Sequence, residues 1–145
     1  MFRHILVPTD GSKIASQAAG QAIALAAEMN AEVTLLAVAE PFRMLAVDSS
    51  EYLYQQQQHE KTAASNCGAM LAQQKVKASN KGVLCKTLVI KGNDVAKTIV
   101  DTAESLDCDL IAMASHGRSG LSSLLLGSVA AGVIAEAHIP VLVYR

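Results

Sequence analysis

The sequence predicts an α/β fold: an open, twisted sheet of five parallel strands with helices on both faces. Three observations carry that reading. Five apolar runs of strand length alternate with four helix-length segments, in the order β-α-β-α-β-α-β-α-β. Most of the strand runs are continuously apolar rather than alternating, which indicates burial on both faces of the sheet. Hydrophobic residues make up 51% of the chain while aromatics contribute 3% and Trp is absent, so the core must be packed from Ala, Val, Leu and Ile. At 145 residues the chain is long enough for one substantial core and too short for two ordinary ones, so residues 1–145 are expected to form one domain.

Taken in order, strands are predicted over residues 3–7, 33–39, 84–90, 110–114 and 139–144. The first helix follows Ser12 as its cap, with Ile14, Ala18, Ala22, Leu25 and Met29 recurring at helical spacing until Asn30 ends it. Residues 50–79 form the second: its polar start, Gln55 to Gln58, reads as a solvated face, and Ala63, Cys67, Met70 and Leu71 supply its packing side. Asn93 or Asp94 caps the third, whose stripe is Val95, Ile99, Ala103 and Leu106. Gly127-Ser128 opens the fourth, with Val129, Val133 and Ala137 facing inward. Residues 40–49 lack periodicity and emerge from the carboxyl end of the second strand, either as a mobile flap or as an irregular lead-in to the second helix.

Twelve basic and thirteen acidic side chains leave a formal charge of -1, with no Lys/Arg cluster to neutralise a polymer's phosphates. That balance argues against a nucleic-acid partner. The longest apolar stretches are strand-sized, and the opening Met1-Phe2-Arg3-His4-Ile5 has no signal-peptide layout, so no membrane association or export is expected and the location is read as cytoplasmic. Cys67, Cys85 and Cys108 are odd in number and lack CxxC or metal-ligand spacing; they read as reduced core thiols rather than redox sensors. Walker A, GxGxxG, GxSxG and HExxH sequences are all missing. His4, His59 and His138 are scattered, His116 has no recognised nucleophile arrangement, and no catalytic residue is assigned.

In an open parallel sheet, ligands sit outside the carboxyl ends of the strands where the strand order reverses. Two loops there are rich in turn and phosphate-compatible residues. In Pro8-Thr9-Asp10-Gly11-Ser12, Pro8 ends the strand, Gly11 permits a tight reversal, and Asp10 offers a carboxylate either to a ribose hydroxyl or Mg²⁺, or simply to a turn or helix cap. The loop from Met113 to Ser128 combines small residues, hydroxyls and Arg118. Gly117 and Gly127 let backbone approach a ligand, and Gly127-Ser128 places N–H groups at a helix start, an anion site by geometry and dipole. Ser128 serves there as hydroxyl donor or cap, and Arg118 supplies positive charge.

The run Arg3 to Ser12, the Ser115-His116-Gly117-Arg118 stretch, Gly127-Ser128-Val129 and the closing Ile139-Pro140-Val141-Leu142-Val143 together resemble the universal stress protein family. Nucleotide-binding members carry Gly, two residues, Gly, nine residues, then Gly with Ser or Thr; Gly117, Gly127 and Ser128 match, with Arg118 to Leu126 filling the nine positions. Ala114 stands where the pattern has its first glycine. If that position needed a positive φ the methyl would cost about 1 kcal/mol or more, whereas in extended backbone it only narrows the pocket. The resemblance implies strand order 3-2-1-4-5, a Rossmann-like fold of the adenine nucleotide alpha hydrolase type, and binding of ATP, or of ADP or AMP, with Mg²⁺. It places Pro8, Thr9, Asp10, Val38, Met113 and Ala114 near adenine and ribose, and Gly117, Gly127, Ser128 and Val129 at the phosphates, with Arg118 beside them. Asp10 would meet the nucleotide's Mg²⁺.

The same strand order puts the last strand at the sheet edge, where Val141, Leu142 and Val143 are free to pair with a second copy and make a homodimer. The function expected is a stress-response, nucleotide-dependent regulator with at most slow ATP hydrolysis. Two alternatives are an ATP-hydrolysing or nucleotidyl-transferring enzyme, and an interaction protein that has lost the nucleotide.

Overall fold

The computed structural model describes residues 1–40, 49–117 and 126–145. Arg118 and most of the segment read as a flap, residues 41–48, lie outside the described residues. The elements run β1 (His4–Pro8), α1 (Lys13–Met29), β2 (Glu32–Ala39), α2 (Ser49–Asn80), β3 (Cys85–Lys91), α3 (Val95–Ser105), β4 (Leu110–Ala114), α4 (Ser128–Glu136) and β5 (Val141–Tyr144). All strand pairs are parallel and the order is β3-β2-β1-β4-β5, as expected. Chain order reverses between β1 and β4, so the switch point lies where the loops after those two strands emerge.

Successive strand residues point to opposite faces, and continuous apolar strands therefore build two cores at once. Ile5, Val7, Val33, Leu35 and Ala112 pack beneath α1 and α2, against Ala22, Ile23, Ala26, Leu71 and Ala78. Leu6, Leu36, Ile111 and Met113 face the other way, onto Ile99, Ala103, Ala130 and Val133 of α3 and α4. β4 is buried throughout, whereas β3 and β5 at the edges are half exposed. On the second face α3 and α4 meet closely at Gly132, where a Cβ would lie 2.7 Å from that of Ala96.

α1 begins as read: the Ser12 hydroxyl accepts from the Ala15 amide at 3.2 Å, and Asn30 closes the helix in the left-handed region at φ 55°. Its buried stripe is rotated from the predicted one. Ala15, Ala18, Ala19, Ala22, Ile23 and Ala26 face inward, while Ile14 is 41% exposed. The small Ala face seats the helix against Ala114 and Tyr144, leaving the larger Ile14 at the margin. In α2, Leu71, Gln74 and Ala78 are buried, Cys67 and Met70 partly so, and Leu53 and Tyr54 nearer the start are exposed. Glu60 ties this helix to the end of β3 through Lys91, at 3.5 Å.

Among the strand limits that differ by a residue or two from the expected ones, two have a local cause. β1 continues through Pro8, whose lack of an N–H is tolerable at a strand end, and β5 starts only at Val141 because Pro140 contributes a carbonyl, to the Ile111 amide at 3.0 Å, but no donor. Cys67, Cys85 and Cys108 are unbonded, the latter two buried. Among the described residues, no helix is long and apolar enough to cross a membrane.

Candidate functional site

The two predicted loops meet at the switch point. After β1 the chain turns sharply: the Thr9 amide donates to the Leu36 carbonyl at 2.8 Å, keeping the backbone in register with β2 one residue past the strand. Asp10 Oδ1 then accepts from the Ser12 amide at 2.9 Å, an Asx turn, with Gly11 in the left-handed region at φ 80°. While Oδ1 holds the turn, Oδ2 of the same carboxylate faces the loop after β4. A Cβ on Gly117 would lie 2.5 Å from that oxygen, so glycine is what lets the two loops close on one another.

Beyond β4, Ser115 anchors the second loop at three points. Its amide donates to the Tyr144 carbonyl at 2.8 Å, its carbonyl accepts the Gly127 amide at 2.7 Å, and its hydroxyl shares a 3.0 Å hydrogen bond with His116 Nδ1. Gly127 has φ -59° and needs no left-handed freedom. Glycine is favoured there by proximity: a Cβ would sit 3.0 Å from the Ser115 carbonyl oxygen and 3.3 Å from the His116 Cα.

These contacts correct two expectations. The Gly127 amide is not available to an anion, since Ser115 takes it. Nor does Ser128 cap the helix: Gly127 is the cap residue of α4, and Ser128 is its first helical residue, exposed, with no side-chain cap bond at this terminus. The donors at the start of α4 are thus the amides of Ser128, Val129 and Ala130, which have no carbonyl one turn back within the helix and carry its positive dipole end. His116 Nδ1 meets the hydroxyl of the adjacent Ser115.

Other predicted residues occupy the walls. Pro8 and Met113 are buried and Val38 half-buried, the last two within the core on the α3/α4 side. Ala114 lies in extended strand backbone, since Asn30 and Asp107 are the non-glycine residues with positive φ among those described, so the feared strain is absent. Its methyl packs with Ala15, Ala18 and Tyr144 on the α1 side. Thr9 is buried, and its hydroxyl meets the Met70 sulfur at 3.8 Å. Nothing in the spacing of α2 links Met70 to this loop; Ser115 was legible only as one small residue among several. No group of three or more His, Cys, Asp and Glu side chains suited to a metal occurs among the described residues.

A model of the Usp family, the universal stress proteins, matches residues 1–145. The chain belongs to the universal stress protein family. Universal stress protein MJ0531 of Methanocaldococcus jannaschii is 37% identical, over 100% of this chain and 83% of its own length. Among solved structures, protein MJ0577 of the same organism superposes with a TM-score of 0.81 at 31% identity, covering 99% of this chain and 95% of that one. Universal stress protein UspA from Lactobacillus plantarum gives 0.83 at 27% identity, covering 99% and 98%. Two more distant members share the fold: one was solved in complex with cAMP, at 24% identity and TM-score 0.73, and one from Archaeoglobus fulgidus in complex with dAMP, at 17% and 0.66.

Proposed function

We propose that this chain binds an adenine nucleotide, ATP or its shorter relatives ADP and AMP, at the carboxyl ends of β1 and β4, and acts as a nucleotide-dependent regulator. The observation that carries the reading is a helix start without a side-chain cap, placed beside a glycine whose absent Cβ leaves room for Asp10. Amides of Ser128 and Val129 would hold phosphate oxygens, with the Ser128 hydroxyl as a further donor. Gly117 and Gly127 keep the approach free of side chains, while Pro8, Thr9, Val38, Met113 and Ala114 would line the nucleoside. Arg118 is assigned to the phosphates from its place in the loop. The complexes of fold relatives with cAMP and dAMP support the nucleotide class.

Asp10 is the carboxylate that would take a ribose hydroxyl or help hold Mg²⁺. The donor set fits a metal delivered with the nucleotide rather than a resident one, because one carboxylate and no three-ligand cluster are present among the described residues. Bound Mg²⁺ would offset polyphosphate charge. With no group evident among the described residues to activate water, hydrolysis would be slow at most.

We take residues 1–145 as one domain that pairs with a second copy along β5, whose half-buried apolar residues border the sheet at β4 on one side only. Unbonded cysteines suit a reducing, cytoplasmic compartment. Native mass spectrometry of freshly purified protein, with thermal shifts in ATP, ADP and AMP, tests the reading. A retained nucleotide or a dimer mass is expected, and ligand at 100 times its Kd should stabilise by about 2.7 kcal/mol. A clean apo monomer that no adenine nucleotide stabilises would remove both proposals.

A further inference from the structure

Met70 stands 61 positions from Thr9 in sequence, yet its sulfur accepts the Thr9 hydroxyl at 3.8 Å. Thr9 is buried, so a hydroxyl withdrawn from water gives its single proton to a thioether, a weak acceptor. The same oxygen takes the Gly11 amide in a long contact of 3.5 Å, and the Ser12 amide goes on to Asp10 Oδ1 at 2.9 Å. Sulfur, hydroxyl and turn thus form one connected path from α2 to the Asp10 loop. Met70 is half-buried against the core beneath α1 and α2, so a small oxidant reaches it, whereas Met113, 5% exposed on the opposite face, is shielded. An oxygen added to the Met70 sulfur cannot sit among apolar core side chains without cost, and the donor already facing it is the Thr9 hydroxyl.

We propose that Met70 is an oxidation site that controls the turn carrying Asp10, with a peroxide as the oxidant. A sulfur lone pair attacks one peroxide oxygen, and the O–O bond breaks as the S–O bond forms. The proton of the transferred oxygen passes to the leaving hydroxide, which departs as water; sulfur is oxidised to the sulfoxide and the peroxide is reduced. The new oxygen is a stronger acceptor than the thioether, so it takes the Thr9 hydroxyl, turns it from Gly11 and loosens the turn. Nucleotide affinity falls on oxidation and returns when the sulfoxide is reduced. That effect on affinity rests on the nucleotide reading; the modification and the displaced turn do not.

The test treats the full chain with hydrogen peroxide, reduces any thiol products with dithiothreitol, follows each methionine by peptide mass spectrometry and records amide chemical shifts. Met70 is expected to oxidise much faster than Met113, with the amides of Thr9, Asp10, Gly11 and Ser12 shifting as it does. In Met70→Leu, a swap that keeps the packing volume, the same treatment leaves those amides in place although Met29, half-buried at the end of α1, is still oxidised. The Kd for ATP rises about tenfold on oxidation of wild type and is restored by methionine sulfoxide reductases of both stereospecificities. In Met70→Leu it is equal before and after peroxide, and Met70→Gln, polar and of similar length, lowers affinity without any oxidant. Oxidation of Met70 no faster than of Met113, or an oxidised Met70 with the turn amides unmoved, overturns the proposal. So does a peroxide response that survives in Met70→Leu, which assigns it to another residue, or a displaced turn with ATP affinity unchanged. A displaced turn in a protein that binds no ATP even before oxidation removes the nucleotide reading and keeps the oxidation site.

Discussion

The two ends of the same sheet are built differently. At the amino end, polar groups are tied to one another: Asp109 accepts from the Arg3 amide at 2.8 and 3.1 Å and the His4 amide at 3.0 Å. The His4 ring sits between the Thr34 hydroxyl at 2.8 Å and Glu32 at 3.3 Å, and Glu32 also meets Lys86 at 3.6 Å. At the carboxyl end, glycines replace side chains, and the first turn of α4 offers amides without a side-chain cap. Parallel strands bring all their exits to one edge, so binding groups can gather there while the opposite edge is closed for stability. Substitutions at the carboxyl end should therefore alter ligand affinity, and those at the amino end stability alone.

The largest effect is expected from Gly127→Val. Its side chain would press on the Ser115 carbonyl and displace the start of α4, raising the Kd for ATP at least 100-fold, or about 2.7 kcal/mol, by calorimetric titration. Because the contact is with backbone, the melting temperature should fall as well; unchanged affinity would place the phosphates elsewhere.

Asp109→Ala is the counterpart. It removes an acceptor shared by two amides and should cost about 1 kcal/mol in urea unfolding, at the low end because the carboxylate is largely solvated, with ATP affinity intact. Although burial alone would raise the Asp109 pKa, the His4 and Arg3 amides overcome it and hold the group below its ordinary 3.8. A lowered folded-state value means the contribution is present above pH 3.8 and lost as pH falls through the folded value, so the variant should lose part of the acid limb of the stability profile. A profile parallel to wild type would show that the amide contacts contribute nothing.

Gln74 departs from the well-paired pattern: it is 2% exposed and its Oε1 has no hydrogen-bond partner among the described residues. Gln74→Met keeps the volume and removes an unpaired acceptor, so it should stabilise by about 1 kcal/mol in the same assay. Destabilisation would reveal a polar partner, such as a buried water.

The smallest change concerns the thiols. Burial, followed by the nearby Asp109, Glu32 and Asp107 carboxylates, pushes Cys108 up to about 11, and burial raises Cys85 as well. At pH 8 a thiol reagent should modify the half-buried Cys67 first, leaving Cys85 and Cys108 slow until unfolding. With its folded value raised, the Cys108 contribution is whole below pH 9.0 and is lost as pH climbs toward 11, so Cys108→Ala should soften the alkaline limb of the stability profile. Equal labelling rates for all three thiols would contradict their burial.

The fold was legible because strand burial on two faces leaves a continuous apolar signature, visible in Ile5-Leu6-Val7 and Leu110-Ile111-Ala112, and because Ser12 and Asp94 cap their helices locally. That the loops bearing Asp10 and Gly117 meet was legible from the alternation of strands and helices, which brings the exits of β1 and β4 to one edge of the sheet. Finer facts depended on contacts distant in sequence. Ile14 is exposed because Ala114 and Tyr144 take the Ala face of α1, the Gly127 amide is engaged because Ser115 lies beneath it, and Met70 reaches Thr9 from 61 positions away in sequence. No periodicity encodes such partners.

The direct test of a phosphate-reading carboxyl end is an amide chemical-shift titration of the full chain with ATP and Mg²⁺. The largest shifts should fall on Asp10, Gly117, Ser128 and Val129, with Arg3, His4 and Asp109 at the other end unmoved. Shifts confined to the amino end, or none at saturating nucleotide, would contradict it.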